Sequence, residues 1–386
     1  MKRIITILLF LNVLFASGQN IKVKIFSTTN ATSTIFSPQK GNYLFIADGD
    51  TIKEISNQDI LNFIAQNDSV EVKGILKKYG TFKQVKLIAI GEYNYFRIKP
   101  VSPPKEARAY DDNLLVWANS GSLILVNKVY LENYVGGVVQ SESGIKATLE
   151  YYKTQAILCR TFALKNWHKF YGQGYNLCDN VNCQVYFGKA TKNYEIIEAA
   201  YATKDLVITD TTNNLISATF FSNCGGETAN SEDVWQKKIG YLRSVRDSFC
   251  THSHNATWQA TISKSKWRQY LTRHGFRFNK KPDFSFQQKH RKKYYRIGND
   301  SIKTTDIRYD WHLKSAFFDI IPTDGKLIIK GRGYGHGVGL CQEGAMEMTK
   351  RKFTYQEILH FYYAGIKIVN LFTLPKENLP VSINEN

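Results

Sequence analysis

Short runs in which apolar and polar residues alternate fill the first hundred positions of the chain. Residues 21–26 (IKVKIF), 43–46, 69–72 and 85–88 each show the period of two of a half-buried strand, with Gly, Asn and Asp between them. They predict an N-terminal β-rich region over residues 19–104, closed by Pro100, Pro103 and Pro104. Two further strands are expected at 113–117 and 122–126. Beyond residue 130 the period lengthens. Residues 130–135 open a short helix, which Gly136 and Gly137 loosen ahead of 138–142. Leu149, Tyr152, Ala156, Arg160, Ala163 and Trp167 then recur at steps of three and four, predicting a longer helix from about 146 to 170. Arg160 falls on the inward stripe of that helix, where a guanidinium must meet an anion or several acceptors. Glu142 is the nearest carboxylate in sequence that a turn can bring to it. A helix at 194–203, strands at 206–209 and 216–221, and helices at 342–350 and 355–363 complete an α+β pattern: a mixed core with an N-terminal β-rich region.

At 386 residues the chain exceeds what one compact core usually needs. Its 23 Tyr, 23 Phe and 6 Trp exclude a disordered polymer. Lys2 and Arg3, the apolar run 4–15 and the small residues Ala16, Ser17 and Gly18 read as a signal peptide over 1–18, so the chain is expected to be exported. No other apolar run approaches the roughly 20 residues of a spanning helix, which excludes a multi-pass membrane protein. The charge balance, 51 Lys and Arg against 33 Asp and Glu, is +18, and loss of Lys2 and Arg3 makes it +16. Such an excess calls for an anionic partner, and export argues against nucleic acid. The excess is concentrated: residues 264–314 hold 15 Lys or Arg and 4 Asp, a net +11, and read as a basic insertion over about 259–314.

Six cysteines permit disulfides in an exported chain without requiring them. Cys178 and Cys183 are spaced for either a small disulfide loop or half of a zinc site, and Cys250-Thr-His252-Ser-His254 offers nitrogen ligands. The chain lacks a Gly-X-Ser-X-Gly elbow, a His-Glu-X-X-His helix and a Walker lysine loop. The glycines at 331–339 alternate around His336, a spacing unlike a phosphate cradle. Cys341 and His336 are either a thiol and its base or, as is commoner, a small buried Cys at a helix start. Gly225-Gly226 is a turn or a place where a ligand lies against backbone.

Residues 129–142 (VYLENYVGGVVQSE) and 152–164 (YKTQAILCRTFAL) resemble the signature of the SpoIID/LytB family, stage II sporulation protein D. Matching blocks follow in the same order at 183–188, 221–228, 233–235, 241–245, 313–318 and 331–342, so the resemblance covers about 113–370. It implies a catalytic domain over 105–370, interrupted by the basic insertion and followed by a tail over 371–386. The best known member of the family is a lytic transglycosylase that cuts peptidoglycan glycan strands at muramic acid, preferring strands stripped of stem peptides. By resemblance Glu142 matches the catalytic acid, and Arg160 the arginine of the family's Ala-Arg-Thr block. Two departures stand out. Cys159 replaces a frequent Ala, and Asn182 stands where metal-bearing members place a His before the second cysteine, which weakens a zinc at Cys178 and Cys183 unless His168 substitutes.

One carboxylate suffices for such a reaction. Hydrolytic glycosidases need two, because they supply a water or a nucleophile as well as a proton. A lytic transglycosylase uses the sugar's own 6-hydroxyl, so a single Glu protonates the leaving oxygen and then takes the hydroxyl proton, giving a 1,6-anhydro end. That Glu must be protonated near neutral pH, which requires partial desolvation, whereas a facing Arg160 would favour the carboxylate. Arg160 is therefore expected to orient Glu142 or touch substrate without a tight bidentate pair. Gln184, Tyr186, Ser222, His336 and Gln342 are expected to meet sugar hydroxyls, with Gly225 and Gly226 beside them, Trp235 or Tyr334 stacking on a pyranose and Lys314 on the lactyl carboxylate. The expected partner is peptidoglycan glycan, with the basic insertion holding an anionic wall polymer, and no cofactor is required. Two other classes fit the family: a modifier that stimulates a separate amidase, and a hydrolase with Glu227 or Asp233 as a second carboxylate.

Overall fold

Alternation in the first 130 residues builds one large sheet. The computed structural model describes residues 19–278 and 282–379, so the expected signal peptide lies outside the described residues. Eleven strands form the main sheet. Its path runs from Leu177–Cys178 through Asn20–Ile25, Ser122–Tyr130, Asn113–Asn119, Gln84–Ser102, Ser33–Ala47, Leu61–Gln66 and Ser69–Lys73 to Lys78–Phe82, with Asp50–Ile55 and Arg108–Asp111 as side branches. Neighbours are antiparallel except Leu177–Cys178, which runs parallel to Asn20–Ile25. Asp179 secures that edge, accepting the N–H groups of Phe26 at 2.7 Å and Ser27 at 3.0 Å and pairing with Arg108 at 3.1 Å.

The expected boundary at Pro100–Pro104 is therefore corrected. Strands on both sides of it share the sheet, and a single apolar core runs from Ile21 to Leu374. A prolonged antiparallel pairing of Gln84–Ser102 with Ser33–Ala47 carries the chain up to these prolines.

Helices cover one end of the sheet. Leu131–Ser143 is continuous, without the loosening expected at Gly136 and Gly137. Leu149–Lys165 begins at Thr148, whose hydroxyl accepts the Tyr151 N–H, and is shorter than the 146–170 expected. Its Tyr152, Ala156, Arg160 and Ala163 are buried, as the stripe requires. Tyr194–Ala202 packs across both. Gln342–Lys350 and Tyr355–Tyr362 complete this layer, the latter held by a Thr354/Glu357 capping box. Residues 371–379 fold back as two 3-10 turns with Leu371 and Leu374 buried, so this part of the expected tail belongs to the core.

The basic insertion has a core of its own, built on Trp267, Leu271, Tyr295, Ile307, Phe318 and Ile329. Its three-stranded sheet joins Thr257–Ser263 and Phe318–Pro322 to Lys326–Arg332, so the module reaches to residue 332 and not 314. Some of its cations are structural. Arg291 donates to the carbonyls of Cys224 at 2.7 Å and Glu227 at 2.6 Å, and Lys293 to that of Glu232 at 2.6 Å.

Candidate active site

Glu142 sits in the last turn of helix Leu131–Ser143, which Gly144 ends at φ +71°. Three successive side chains there catch the loop that follows Cys183. Glu142 Oε1 accepts the Val185 N–H at 2.7 Å, Ser141 Oγ the Phe187 N–H at 3.1 Å, and Gln140 Oε1 the N–H groups of Thr191 at 3.0 Å and Lys192 at 2.8 Å. Gly137 makes this closeness possible: a Cβ there would lie 2.3 Å from the Gly188 carbonyl oxygen and 2.5 Å from the Tyr186 ring. From the other side, Gln342 Nε2 donates to the Glu142 carbonyl at 3.3 Å.

The electrostatics of Glu142 are simple. Burial pushes its carboxyl above the usual range, and the Val185 N–H, which favours the anion, opposes only part of that. Among the described residues no Lys or Arg pairs with it.

Arg160 does not face Glu142, which corrects the expectation that it orients that carboxylate or touches substrate. Its guanidinium is wholly buried and takes Glu132 as a forked partner, with Nε 3.0 Å from Oε1 and 3.2 Å from Oε2 and Nη2 also on Oε2. The remaining donors reach the carbonyls of Ala200 at 2.9 Å and Leu206 at 3.1 Å. Glu132 lies ten residues before Glu142 on the same helix, about 15 Å along its axis. The inward stripe is as read; the anion at its end is a different one.

Other expected substrate contacts divide into two groups. Gln342 touches Glu142, and Ser222 lies beside it, because the Glu343 N–H donates to the Ser222 carbonyl at 3.0 Å. Tyr334 exchanges backbone bonds with Asn223, at 3.0 and 2.8 Å, and continues this wall. Tyr334 and Trp235 are exposed, and Lys314 Nζ lies 5.7 Å from the Tyr334 ring.

The second group is structural. Tyr186 is fully buried against Tyr134 and Tyr110 and donates to Asn127 Oδ1 at 2.9 Å, so it does not meet a sugar. Gln184 is buried too, its amide oxygen accepting the Tyr134 hydroxyl at 3.3 Å. His336 spends both nitrogens on backbone: Nδ1 accepts the Val338 N–H, which leaves Nε2–H to donate to the Phe220 carbonyl, each at 3.1 Å. Burial lowers its pKa to about 4, which makes it a neutral spacer under Trp235, 5.0 Å away. Gly225, at φ +68°, crosses the chain at Gly333 so closely that a Cβ would lie 2.6 Å from the Arg332 carbonyl carbon. With Gly226, at φ +103°, it forms a turn.

The proposed metal ligands do not assemble. The Cys178 N–H donates to Cys183 Sγ at 3.1 Å, but His168 stacks its ring edge-on to Tyr171 instead of joining them. Two sulfurs alone do not make the four-ligand set of structural zinc. Among the described residues the group of three or more sulfur, imidazole or carboxylate donors close enough to share an ion lies elsewhere, at Cys224, Asp247, Cys250 and Cys341. The pairing of His336 as a base for Cys341 also fails, since both imidazole nitrogens are engaged.

Sequence reasoning missed Glu343. Its carboxylate accepts from Asn223 Nδ2 at 2.6 Å and Asn255 Nδ2 at 2.5 Å, placing a second acid next to Gln342. The only signal was its place directly after the Gly331–Gln342 block. Glu227 and Asp233, the expected second carboxylates, are occupied by Ser244 and His290 and by Asn230 and Lys293.

The family model for SpoIID, stage II sporulation protein, matches residues 119–209, which include Glu132, Glu142 and Arg160. Stage II sporulation protein D of Bacillus subtilis is 31% identical over 262 residues, 63% of this chain and 75% of that protein. A Brachyspira hyodysenteriae protein without an assigned function is 30% identical over 282 residues, 70% of this chain and 75% of its own. The amidase enhancer of B. subtilis is 26% identical over 292 residues, 61% of this chain and 40% of the enhancer. With nearly a third of positions shared along three quarters of stage II sporulation protein D, this chain belongs to the SpoIID family.

Proposed function

We propose that this chain, a member of a cell-wall-related family, is an exported enzyme that cleaves peptidoglycan glycan strands as a lytic transglycosylase, with Glu142 as the general acid and base. The observation that carries this reading is the environment of Glu142: a partly desolvated carboxyl with one N–H donor, no cationic partner among the described residues and a raised pKa. Such a group holds its proton well enough to give it to a leaving oxygen. The proton passes from Glu142 to the glycosidic oxygen as the bond from the muramic C1 breaks. The sugar's O6 then attacks C1 and its proton returns to Glu142, so the acid is regenerated and no water enters. Trp235 and Tyr334 are suited to stacking on pyranose faces, and Lys314 to an anionic substituent beside Tyr334. Exposed cations of the basic module, among them Lys266, Arg268, Arg277, Lys289 and Arg296, would hold the anionic wall.

The test is incubation with purified, peptide-stripped glycan followed by mass spectrometry. Wild type should release 1,6-anhydro ends and Glu142→Gln none; anhydro ends from the variant would refute the assignment. The likeness to an amidase enhancer supports a second reading, in which the chain stimulates an amidase without turnover of its own. No product from wild type, together with faster release of stem peptides when an amidase is added, would select it. Reducing ends would select a hydrolase, for which Glu343, next to the Gln342 that touches Glu142, is a candidate second carboxylate.

A further inference from the structure

Four buried donors, far apart in sequence, converge behind the wall that carries Ser222, Gln342 and Glu343. Cys224 ends the segment 220–224, Asp247 and Cys250 flank the start of the 3-10 turn Phe249–His252, and Cys341 caps helix Gln342–Lys350. Their three sulfurs and one carboxylate oxygen lie within 4.8 Å of one another, and all four residues are fully buried. We propose that this cluster is a metal site of the chain, binding one zinc ion through Cys224, Asp247, Cys250 and Cys341.

The donor set fits that ion. Tetrahedral zinc at about 2.3 Å from sulfur and about 2.0 Å from oxygen spaces its ligands roughly 3.5–3.8 Å apart. Cys224 Sγ is 3.2 Å from Cys250 Sγ and 3.2 Å from Asp247 Oδ2, so a few tenths of an ångström of expansion admits the ion. A disulfide fits less well. The Cys224–Cys250 separation exceeds the ~2.05 Å of a bond by more than an ångström, and an odd sulfur and a buried carboxylate would remain. Three thiolates select a soft or borderline ion over calcium or magnesium.

The surroundings hold the donors as ligands are held. Asp247 accepts the Tyr362 hydroxyl at 2.8 Å on Oδ2 and the Phe249 N–H at 2.9 Å on Oδ1, which orients the carboxylate. Cys341 Sγ accepts the N–H groups of Cys224 at 3.2 Å and Gly344 at 3.4 Å. Binding releases three thiol protons to solvent and leaves three thiolates, one carboxylate and one divalent cation, a net charge of −2. Arg291 stands next to it, its guanidinium bonded to the Cys224 carbonyl. The ion would clasp the segment 220–224 to the helix start at Gln342, whose amide touches Glu142, so it would fix the wall of the cleft without taking part in the chemistry.

The full chain, purified under reducing conditions without chelator, is analysed by elemental mass spectrometry and zinc X-ray absorption. One zinc per chain is expected, with a first shell of about three sulfurs at ~2.3 Å and one oxygen or nitrogen at ~2.0 Å. A variant with both Cys178→Ser and Cys183→Ser should keep the ion and that shell, while Cys250→Ser should lose it. Because Cys250→Ser also puts a hydroxyl into the buried core, Asp247→Asn is the companion. It should stay folded and bind zinc at least about tenfold more weakly, read by competition with a chelating dye. A metal-free chain with six free thiols, a Cys224–Cys250 disulfide in the mass map, a two-sulfur shell, or zinc lost with Cys178 and Cys183 would each overturn the proposal.

Discussion

Removing the Arg160 guanidinium should unfold the protein more readily without abolishing its chemistry. Arg160→Met leaves the Glu132 carboxylate, 1% exposed, without its forked partner, and strips the Ala200 and Leu206 carbonyls of their donors. Breaking a buried ion pair from one side costs about 3–5 kcal/mol, most of it the stranded charge. In a chain of this length each kcal/mol lowers the melting midpoint by roughly 2 °C, so the shift should be roughly 6–10 °C. Adding Glu132→Leu removes the stranded charge and leaves only the two carbonyls, so the double variant should recover to within about 2 kcal/mol of wild type. Calorimetry of the three proteins measures the stability arm. Glycan cleavage, assayed well below each protein's own midpoint, measures the other, and Arg160→Met should stay within about threefold of wild type there. An unchanged midpoint with cleavage down about a hundredfold or more would put Arg160 in the reaction and refute the reasoning.

Other consequences are as direct. Cleavage should fall on the alkaline side with an apparent pKa above the ordinary 4.5 of Glu, because the proton required on Glu142 is lost as pH rises through its raised folded value; a limb at or below 4.5 contradicts the assignment. For the same reason the stability that Glu142 contributes is complete below its ordinary pKa and is lost as pH rises through the folded one, so Glu142→Gln should melt no lower than wild type at pH 7. His336, lowered from 6.5 to about 4, works in the opposite sense: its contribution is complete above 6.5 and is lost as pH falls toward 4, when a proton on Nδ1 displaces the Val338 N–H. His336→Gln should therefore flatten the acid side of the stability curve by up to about 3 kcal/mol, at about 1.4 kcal/mol per pH unit; equal acid sensitivity in both proteins would show that the imidazole is not the cause.

Local period was readable, and non-local partnership was not. The 3.6-residue stripe through Tyr152, Ala156, Arg160 and Ala163 correctly turned Arg160 inward, since helix geometry alone decides the face. Which carboxylate waits there depends on how two helices cross, and proximity in sequence pointed to the wrong end of the neighbouring helix. Strand alternation was visible at 21–26 and 85–88. That Asn20–Ile25 pairs with Ser122–Tyr130 and with Leu177–Cys178, merging the expected N-terminal region into the main core, required contacts more than 90 residues apart. Tyr186 shows a further limit. A tyrosine in a polar block has the chemistry of a sugar contact, and only the close approach allowed by Gly137, with Asn127 waiting 59 residues away, makes it a core residue. The Cys224 cluster spans 117 residues, and its one short spacing, Asp247 to Cys250, joins only two of the four donors.

The sequence posed a conflict, since a general acid wants a raised pKa while an arginine close to it would depress one. The fold resolves it by giving helix Leu131–Ser143 two carboxylates at opposite ends and assigning the guanidinium to the first. Glu132 receives the charge, both of its oxygens and two further helical and strand carbonyls being gathered around Arg160. Glu142 receives desolvation and a single peptide N–H. The ion pair fixes the helix that Glu142 rides on, and its distance of about 15 Å along the axis keeps its field from the acid. Under the proposed function Arg160 therefore acts on stability: it holds the helix that Glu142 rides on, and its own charge is spent on Glu132.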